Sequence, residues 1–272
     1  MNRPIRLPGI QKHALPSVTD PAEHSAYIRR RYPDANLTSA AGVVLVYQAS
    51  ALREVLAQVE VRPLDRWVSG DLHMTNSNVV ICSNFGRGAP AAGLVLEQLV
   101  AHGARSVISV GTAATLTPAL HTGDLVLCKE ALRGEGLSHH YLPPGRYVAA
   151  DEALTAHLRS ELTALDGSAP PSLGRTWTTD AIYRETLAEV HEYVTEGVLT
   201  ADMEAAGMFA VAQYRGIPAA AAFTIADSLA HRQPRTDSPK IGAGLATLLN
   251  AALRALAAAP PRQRPENRRP AP

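Results

Sequence analysis

Short continuous apolar runs alternate along this chain with longer stretches whose apolar positions recur at helical spacing. Val43-Val44-Leu45-Val46-Tyr47 predicts a first strand buried on both faces. Asn78 to Ser83, Arg105 to Val110, Gly123 to Leu127, Gly174 to Asp180 and Ala219 to Ala226 predict further strands. Trp67 to Met74 reads as an edge strand or hairpin arm, turning at Ser69-Gly70-Asp71. The helical stretches begin with Pro21 to about Arg31, where Asp20 is the N-cap and Pro21 takes the first position. Others follow at about Ser50 to Val59, from Ala91 to about His102, and over Asp151–Leu165, Glu185–Glu196 and Pro239–Ala258. Residues 130–147 read as a long polar loop carrying Arg133, Glu135, Ser138, His139, His140 and Tyr141, and Gly167 to Leu173 as a Pro/Ser loop. One helix joins the strands at 78–83 and 105–110, so they are expected to run parallel. Strands and helices alternate throughout, which predicts α/β architecture with a largely parallel sheet.

Thr200-Ala201-Asp202-Met203-Glu204-Ala205-Ala206-Gly207 adds chemistry to this pattern. The Asp202 carboxylate can accept the orphan N–H groups of a first helical turn, and Glu204 sits at the positive end of the helix dipole. Ala205, Met208, Phe209 and Ala212 then form a core-facing stripe, and Arg215-Gly216 before Pro218 ends the helix. By itself Asp-Met-Glu is an ordinary helix start. Two apolar runs with polar ends change its reading: Ser106 to Ala114, with Gly111-Thr112, and Ala222 to Ser228, with Asp227. In open α/β sheets, ligands bind outside the carboxyl ends of strands.

Composition narrows the classes. The 272 residues are 46% hydrophobic, enough for a sizeable core, and the net charge of +1 offers no basic field for nucleic acid. Cys82 and Cys128 lie in apolar runs and are expected to be buried free thiols in a reducing cytoplasm. Neither a signal peptide nor an apolar run long enough to span a membrane is expected. His139-His140 is a poor metal pair, because adjacent residues converge on one ion with difficulty and no partner stands at useful spacing. No metal site is expected. Gly86-Arg87-Gly88-Ala89-Pro90-Ala91 fits G-x-G-x-x-A between a strand and a helix. A dinucleotide fold would also need an acid at the end of the next strand, and Val110-Gly111-Thr112 has none.

Together, Gly111-Thr112, Met203-Glu204 and Asp227 resemble the nucleoside phosphorylase family. Arg133 to Pro144 and Trp177 to Thr186 also match one branch of it, and the likeness runs from about Val43 to Leu229. The resemblance implies a three-layer α/β fold with a largely parallel (mixed) central sheet flanked by helices. It implies one domain, taken over residues 1–258; by composition, the Pro-rich residues 1–20 read as an irregular N-terminal arm, and residues 259–272, rich in Pro and Arg with few apolar groups, as a disordered tail. The resemblance also implies cleavage of a nucleoside's N-glycosidic bond, giving free base and pentose 1-phosphate. Met203 and Glu204 would hold the pentose, and Thr112, Ala113, Ile182 and Tyr183 would complete the substrate site. Gly88, Arg87 and Thr112 would bind phosphate, and Asp227 would protonate the leaving base. Inorganic phosphate would be a co-substrate with no further cofactor, in a cytoplasmic homo-oligomer.

The departures from that family matter equally. Phosphate-binding members carry an arginine two residues before Gly-Thr, where this chain has Ser109. Most also carry a Gly-Asp-Pro turn with a nearby arginine after the first strand, where this chain has Tyr47-Gln48-Ala49-Ser50. Arg87 is a candidate replacement charge, and Arg133 and Arg184 are others. Water as nucleophile, in a nucleosidase, and an inactive nucleoside-binding module are the alternatives.

Overall fold

The computed structural model describes residues 12–48, 59–166, 171–231 and 237–258. The helix expected over about Ser50 to Val59, part of the Pro/Ser loop, the first eleven residues and the tail from 259 lie largely or wholly outside that set. After a 3-10 turn at Lys12–Ala14, the chain forms helix α1 (Pro21–Arg31), strand β1 (Gly42–Val46) and strands β2 (Val61–Pro63), β3 (Asp71–Thr75) and β4 (Val79–Ser83). Helix α2 (Ala89–Ala101) leads to β5 (Val107–Thr115) and β6 (Leu125–Gly134). Next come α3 (Ser138–Tyr141), β7 (Tyr147–Ala149), α4 (Glu152–Asp166), β8 (Ser172–Thr179), α5 (Leu187–Thr195) and β9 (Val198–Asp202). Helix α6 (Ala205–Arg215), β10 (Ala219–Ser228) and α7 (Pro239–Ala258) complete the described chain.

The sheet is mixed. Its centre is parallel: β1 lies between β4 and β5, and β10 lies on the other side of β5. Thus β4 and β5 are parallel, as the single intervening helix requires, with β1 between them. The antiparallel hairpin of β3 with β4 and the edge strand β2 extend one side. On the other, β10 pairs with β6, β6 with β8, β8 with β9, and β9 returns to β5. These five strands therefore close into a ring, and β7 adds antiparallel to β6 outside it as a short edge strand.

Strand periodicity divides the core. Val43, Leu45, Val107, Ala219, Ala221 and Phe223 face α2 and α6 in one cluster. Val44, Val46, Ile108, Val110, Ala220 and Ala222 face α4 and α7 in the other. The central strands are buried on both faces, so they read as continuous apolar runs. A third cluster, around Trp177 and Leu132, lies under α5.

Several local expectations need correction. The polar loop at 130–147 is the second half of β6, then α3 and β7. Lys129, Glu130 and Arg133 disguise the strand, yet Glu130 to Gly134 pair in register with Arg175 to Thr179. Strands β2 and β7, of three residues each, are too short for periodicity to reveal. Helix α6 begins after Glu204, and Asp202 caps from two positions further out. Helix α7 is, by length and composition, apolar enough to cross a membrane, contrary to expectation. Half of that window is buried here, and Leu245, Leu248, Leu249, Leu253 and Leu256 pack into the core. Cys82 and Cys128 are free and buried, as expected.

Candidate active site

The site is organised by a fork in the sheet. Strand β5 pairs with β1 only as far as Val46 with Val110. On that same side β9 pairs with it from Ala114 with Ala201. The edge of β5 between those points, Gly111-Thr112-Ala113, is left by both neighbours, and both end there. Tyr47-Gln48 leaves β1, and Asp202-Met203-Glu204 leaves β9. The carboxyl ends of strands thus converge on one short stretch of β5.

On the β9 side, Asp202 is buried and fully engaged. Its Oδ2 accepts from the N–H groups of Glu204 at 2.8 Å and Ala205 at 2.7 Å. Its Oδ1 accepts from the Thr178 hydroxyl at 2.7 Å and from Thr176 at 3.3 Å. Thr178 Oγ1 in turn accepts from the Ala206 N–H at 3.0 Å. These bonds lock the turn that presents Met203 and Glu204, both half-buried. Burial and then the Asp202 carboxylate push the Glu204 carboxyl up to about 7, against the Gly88 N–H and the Arg87 charge.

On the α2 side, Gly86 and Gly88 have φ of 101° and 86°, in the region that favours glycine. This turn aims the Gly88 N–H at Glu204 Oε1, 2.7 Å away. The helix N-terminus that a dinucleotide would use is therefore directed to a carboxylate of the chain itself. Arg87 lies exposed on the same turn.

On the opposite side of β5, β10 carries a bulge between Ile225 and Asp227, so Asp227 is the residue paired with Ala114. Paired residues share a face. The bulge therefore aligns Asp227 with Ala114 and Thr112, the two half-buried positions of an otherwise buried strand end. Asp227 is itself half-buried, and one of its oxygens accepts from the Ser228 N–H at 2.8 Å. Ala113 is buried beside Ile225.

The structure thus brings Gly88, Arg87, Thr112, Ala113, Met203, Glu204 and Asp227 to the fork or its flanks. Ile182 and Tyr183 form a 3-10 turn just past the end of β8, and both are exposed. Arg133 does not face the site as a free charge. Its guanidinium donates to the Ser138 hydroxyl at 2.9 Å and to the Pro143 carbonyl at 2.8 Å, which fixes the segment after β6. Arg184 is exposed at the 3-10 turn. His139 and His140 stand on α3 rather than a loop; His139 Nε2 lies 3.3 Å from the Arg133 carbonyl oxygen, and His140 Nδ1 lies 2.5 Å from Lys12 Nζ. Among the described residues no cluster of metal-ligating side chains forms.

In the sequence, Tyr47 and Gln48 mark only the place where the family's Gly-Asp-Pro turn is missing. The Tyr47 ring packs edge-on against Phe85, with centroids 5.1 Å apart, and its hydroxyl accepts from Ser109 Oγ at 3.2 Å. Gln48 Nε2 donates to Thr112 Oγ1 at 3.0 Å. Nothing in the residue types alone pairs positions 62 and 64 apart in sequence.

Known proteins resemble this chain in sequence and in fold. A guanosine phosphorylase of Halorubrum lacusprofundi is 30% identical over 164 residues, 60% of this chain and 66% of that one. A DeoD-type purine nucleoside phosphorylase of Exiguobacterium sibiricum is 28% identical over 149 residues, 53% and 61% of the two chains. The matched stretch is thus slightly under two thirds of each relative's length. Among solved structures, a purine nucleoside phosphorylase from Toxoplasma gondii in complex with immucillin-H superposes with a TM-score of 0.71 at 22% identity, covering 81% of this chain and 91% of that one. A uridine phosphorylase from Vibrio fischeri ES114 gives 0.70 at 22% identity, covering 81% and 94%. These two likenesses concern the fold. The sequence profile of the phosphorylase superfamily matches residues 42–258, most of the chain including every element of the fork, and the protein belongs to that superfamily.

Proposed function

We propose that this protein cleaves the N-glycosidic bond of a nucleoside by phosphorolysis, releasing free base and pentose 1-phosphate. The observation that carries this reading is the fork itself. It sets a buried, hydrogen-bonded turn bearing Glu204 on one side of Gly111–Ala114 and Asp227 on the other. The chemistry requires charge at the sugar and a proton for a poor leaving group, some distance apart.

In this reading Glu204 accepts hydrogen bonds from the pentose hydroxyls, and Met203 packs beneath the ring. Thr112 and the backbone N–H groups at Gly111 and Gly88 hold phosphate, with Arg87 supplying positive charge. Gly88 donates to Glu204 in the free protein, so a ligand at that N–H exchanges one bond for another. Ala113, Ile182 and Tyr183 border the nucleoside. A phosphate oxygen forms the bond to C1′ as the C1′–N pair leaves with the base, and the proton from Asp227 neutralises the departing nitrogen. Solvent then reprotonates Asp227.

The test is incubation of purified protein with mixed nucleosides, with and without phosphate, followed by product analysis. Phosphate-dependent release of base with pentose 1-phosphate is expected. Free pentose at full rate without phosphate makes the protein a nucleosidase. No base release, with nucleoside binding intact, makes it a binding module. Arg87→Ala should raise the KM for phosphate more than that for nucleoside. Equal changes in both would remove Arg87 from the phosphate site.

A further inference from the structure

Resting on the N-glycosidic cleavage proposed above, we infer that Thr178 is the positioning residue of the sugar clamp. Acting through Asp202, its hydroxyl fixes the place of Glu204 and the negative charge that stands behind it.

Strands β8 and β9 pair Thr178 with Asp202, so the two buried side chains emerge on one face of the sheet. The first turn of α6 presents N–H groups that have no acceptor within the helix. Asp202 Oδ2 takes those of Glu204 and Ala205, at 2.8 and 2.7 Å, and Thr178 Oγ1 takes that of Ala206 at 3.0 Å. Because it accepts there, the Thr178 hydroxyl directs its own hydrogen to Asp202 Oδ1, 2.7 Å away. A backbone N–H thus fixes the direction of that bond. Thr176 adds less, since its one hydrogen is shared between Asp202 Oδ1 at 3.3 Å and the Thr200 carbonyl at 3.2 Å. From a neighbouring strand, Thr178 therefore holds the turn at two points, Asp202 and Ala206.

Each of these contacts brings a hydrogen to Asp202, which is the pattern of an ionised, acceptor-only carboxylate. Burial raises Asp202, and the bonds from Ala205, Thr178, Glu204 and Thr176 oppose it. Glu204 feels the outcome: burial and then the Asp202 charge lift it to about 7. Removing the Thr178 hydroxyl takes away a donor and lets burial drive Asp202 towards its neutral form. Repulsion on Glu204 then falls, and Glu204 ionises at lower pH. Among the described residues, the other groups acting on Glu204 are the Gly88 and Met203 N–H groups and the Arg87 charge, which all favour its carboxylate. Tyr47, just past β1, faces Glu204, and Cys128 of β6 faces Asp202; burial keeps both protonated.

Glu204 can be read without substrate, from the carboxyl NMR resonance of glutamate-labelled protein that Glu204→Gln removes. In wild type it should titrate near 7, well above the ordinary 4.5. In Thr178→Val it should titrate about one pH unit lower than in wild type. Thr178→Ser keeps the hydroxyl and should restore the wild-type titration. Asp202→Asn should lower the titration with Thr178 in place, and so provides the test if Thr178→Val does not fold. Activity gives the second reading, as kcat/KM for nucleoside at saturating phosphate from about pH 5 to about pH 8. Its rise with pH should move down in Thr178→Val by the same amount as the resonance. Its plateau should fall roughly tenfold, because a displaced clamp is slow at every pH. Thermal unfolding checks that each variant is folded.

A wild-type Glu204 that titrates at the ordinary value, or one unmoved by Thr178→Val or by Asp202→Asn, would overturn the inference and leave phosphorolysis standing. A lower plateau with an unmoved titration would do the same, reducing Thr178 to packing. Conversely, the shifted titration in a protein that releases no base from any nucleoside would leave the tie from Thr178 through Asp202 to Glu204 standing and remove the cleavage.

Discussion

Glu204 combines demands that conflict. Burial and Asp202 raise it from the ordinary value of 4.5 to about 7, yet the proposed role needs the carboxylate. Between those values the native form holds a proton that the unfolded chain releases. Its contribution to stability is therefore complete below the unfolded value and lost as pH rises through about 7. Thermal unfolding should show wild type less stable at about pH 8 than at about pH 6, with a smaller difference in Glu204→Gln. Asp202, raised by burial, acts in the same direction and remains in the variant. Charge-assisted hydrogen bonds contribute about 1.5–3 kcal/mol each, so Glu204→Gln should lower kcat/KM on ribonucleosides at least tenfold while the protein folds. Unchanged kcat/KM would remove Glu204 from the sugar site. Asp227→Asn should lower kcat on ordinary nucleosides and spare substrates whose leaving group needs no proton. Equal losses on both kinds would limit Asp227 to positioning. The sequence displayed Met203-Glu204 and Asp227 because they end recognisable runs. The locking of Asp202 by Thr176 and Thr178 was hidden, since it depends on β8 and β9 running side by side.

Between elements, the Gly88–Glu204 contact depends on how closely α2 approaches α6. Gly207 faces Ala89, and a Cβ at Gly207 would lie 2.7 Å from Ala89 Cβ and 3.3 Å from its Cα. That contact is with the first residue of α2, so relief requires the helix start to move. Gly207→Ala should therefore destabilise by about 1–3 kcal/mol as an overpacking change, read in a denaturant titration. It should also weaken nucleoside binding, because Gly88 moves with Ala89. Full stability and unchanged kcat/KM would show that the interface absorbs the methyl group. Helices and buried central strands were legible from periodicity, and the Thr186/Glu189 capping box starts α5 within the expected stretch. The second half of β6 was not legible. Its polar residues serve β7, β8 and ion pairs such as Arg175–Glu130, at 2.8 Å, instead of an apolar layer. Strand β9 was missed because five residues ending in an acid look like the approach to a helix.

Across the whole molecule, alternation of elements predicted an α/β sheet but not its closure. The ring of β5, β10, β6, β8 and β9 depends on the two residues of β5 that pair with β9. No local pattern encodes such a contact. It also creates the site: β9 replaces β1 beside β5, and the gap between them holds Gly111-Thr112-Ala113. The central claim is that this gap is where a nucleoside is cleaved. The most direct measurement is product analysis of wild type and Glu204→Gln given a ribonucleoside and phosphate under the same conditions. The account predicts free base with an equal amount of pentose 1-phosphate from wild type, and at least a tenfold lower rate from the folded variant. Equal product from both proteins, or no base from the wild type with any nucleoside, would contradict it.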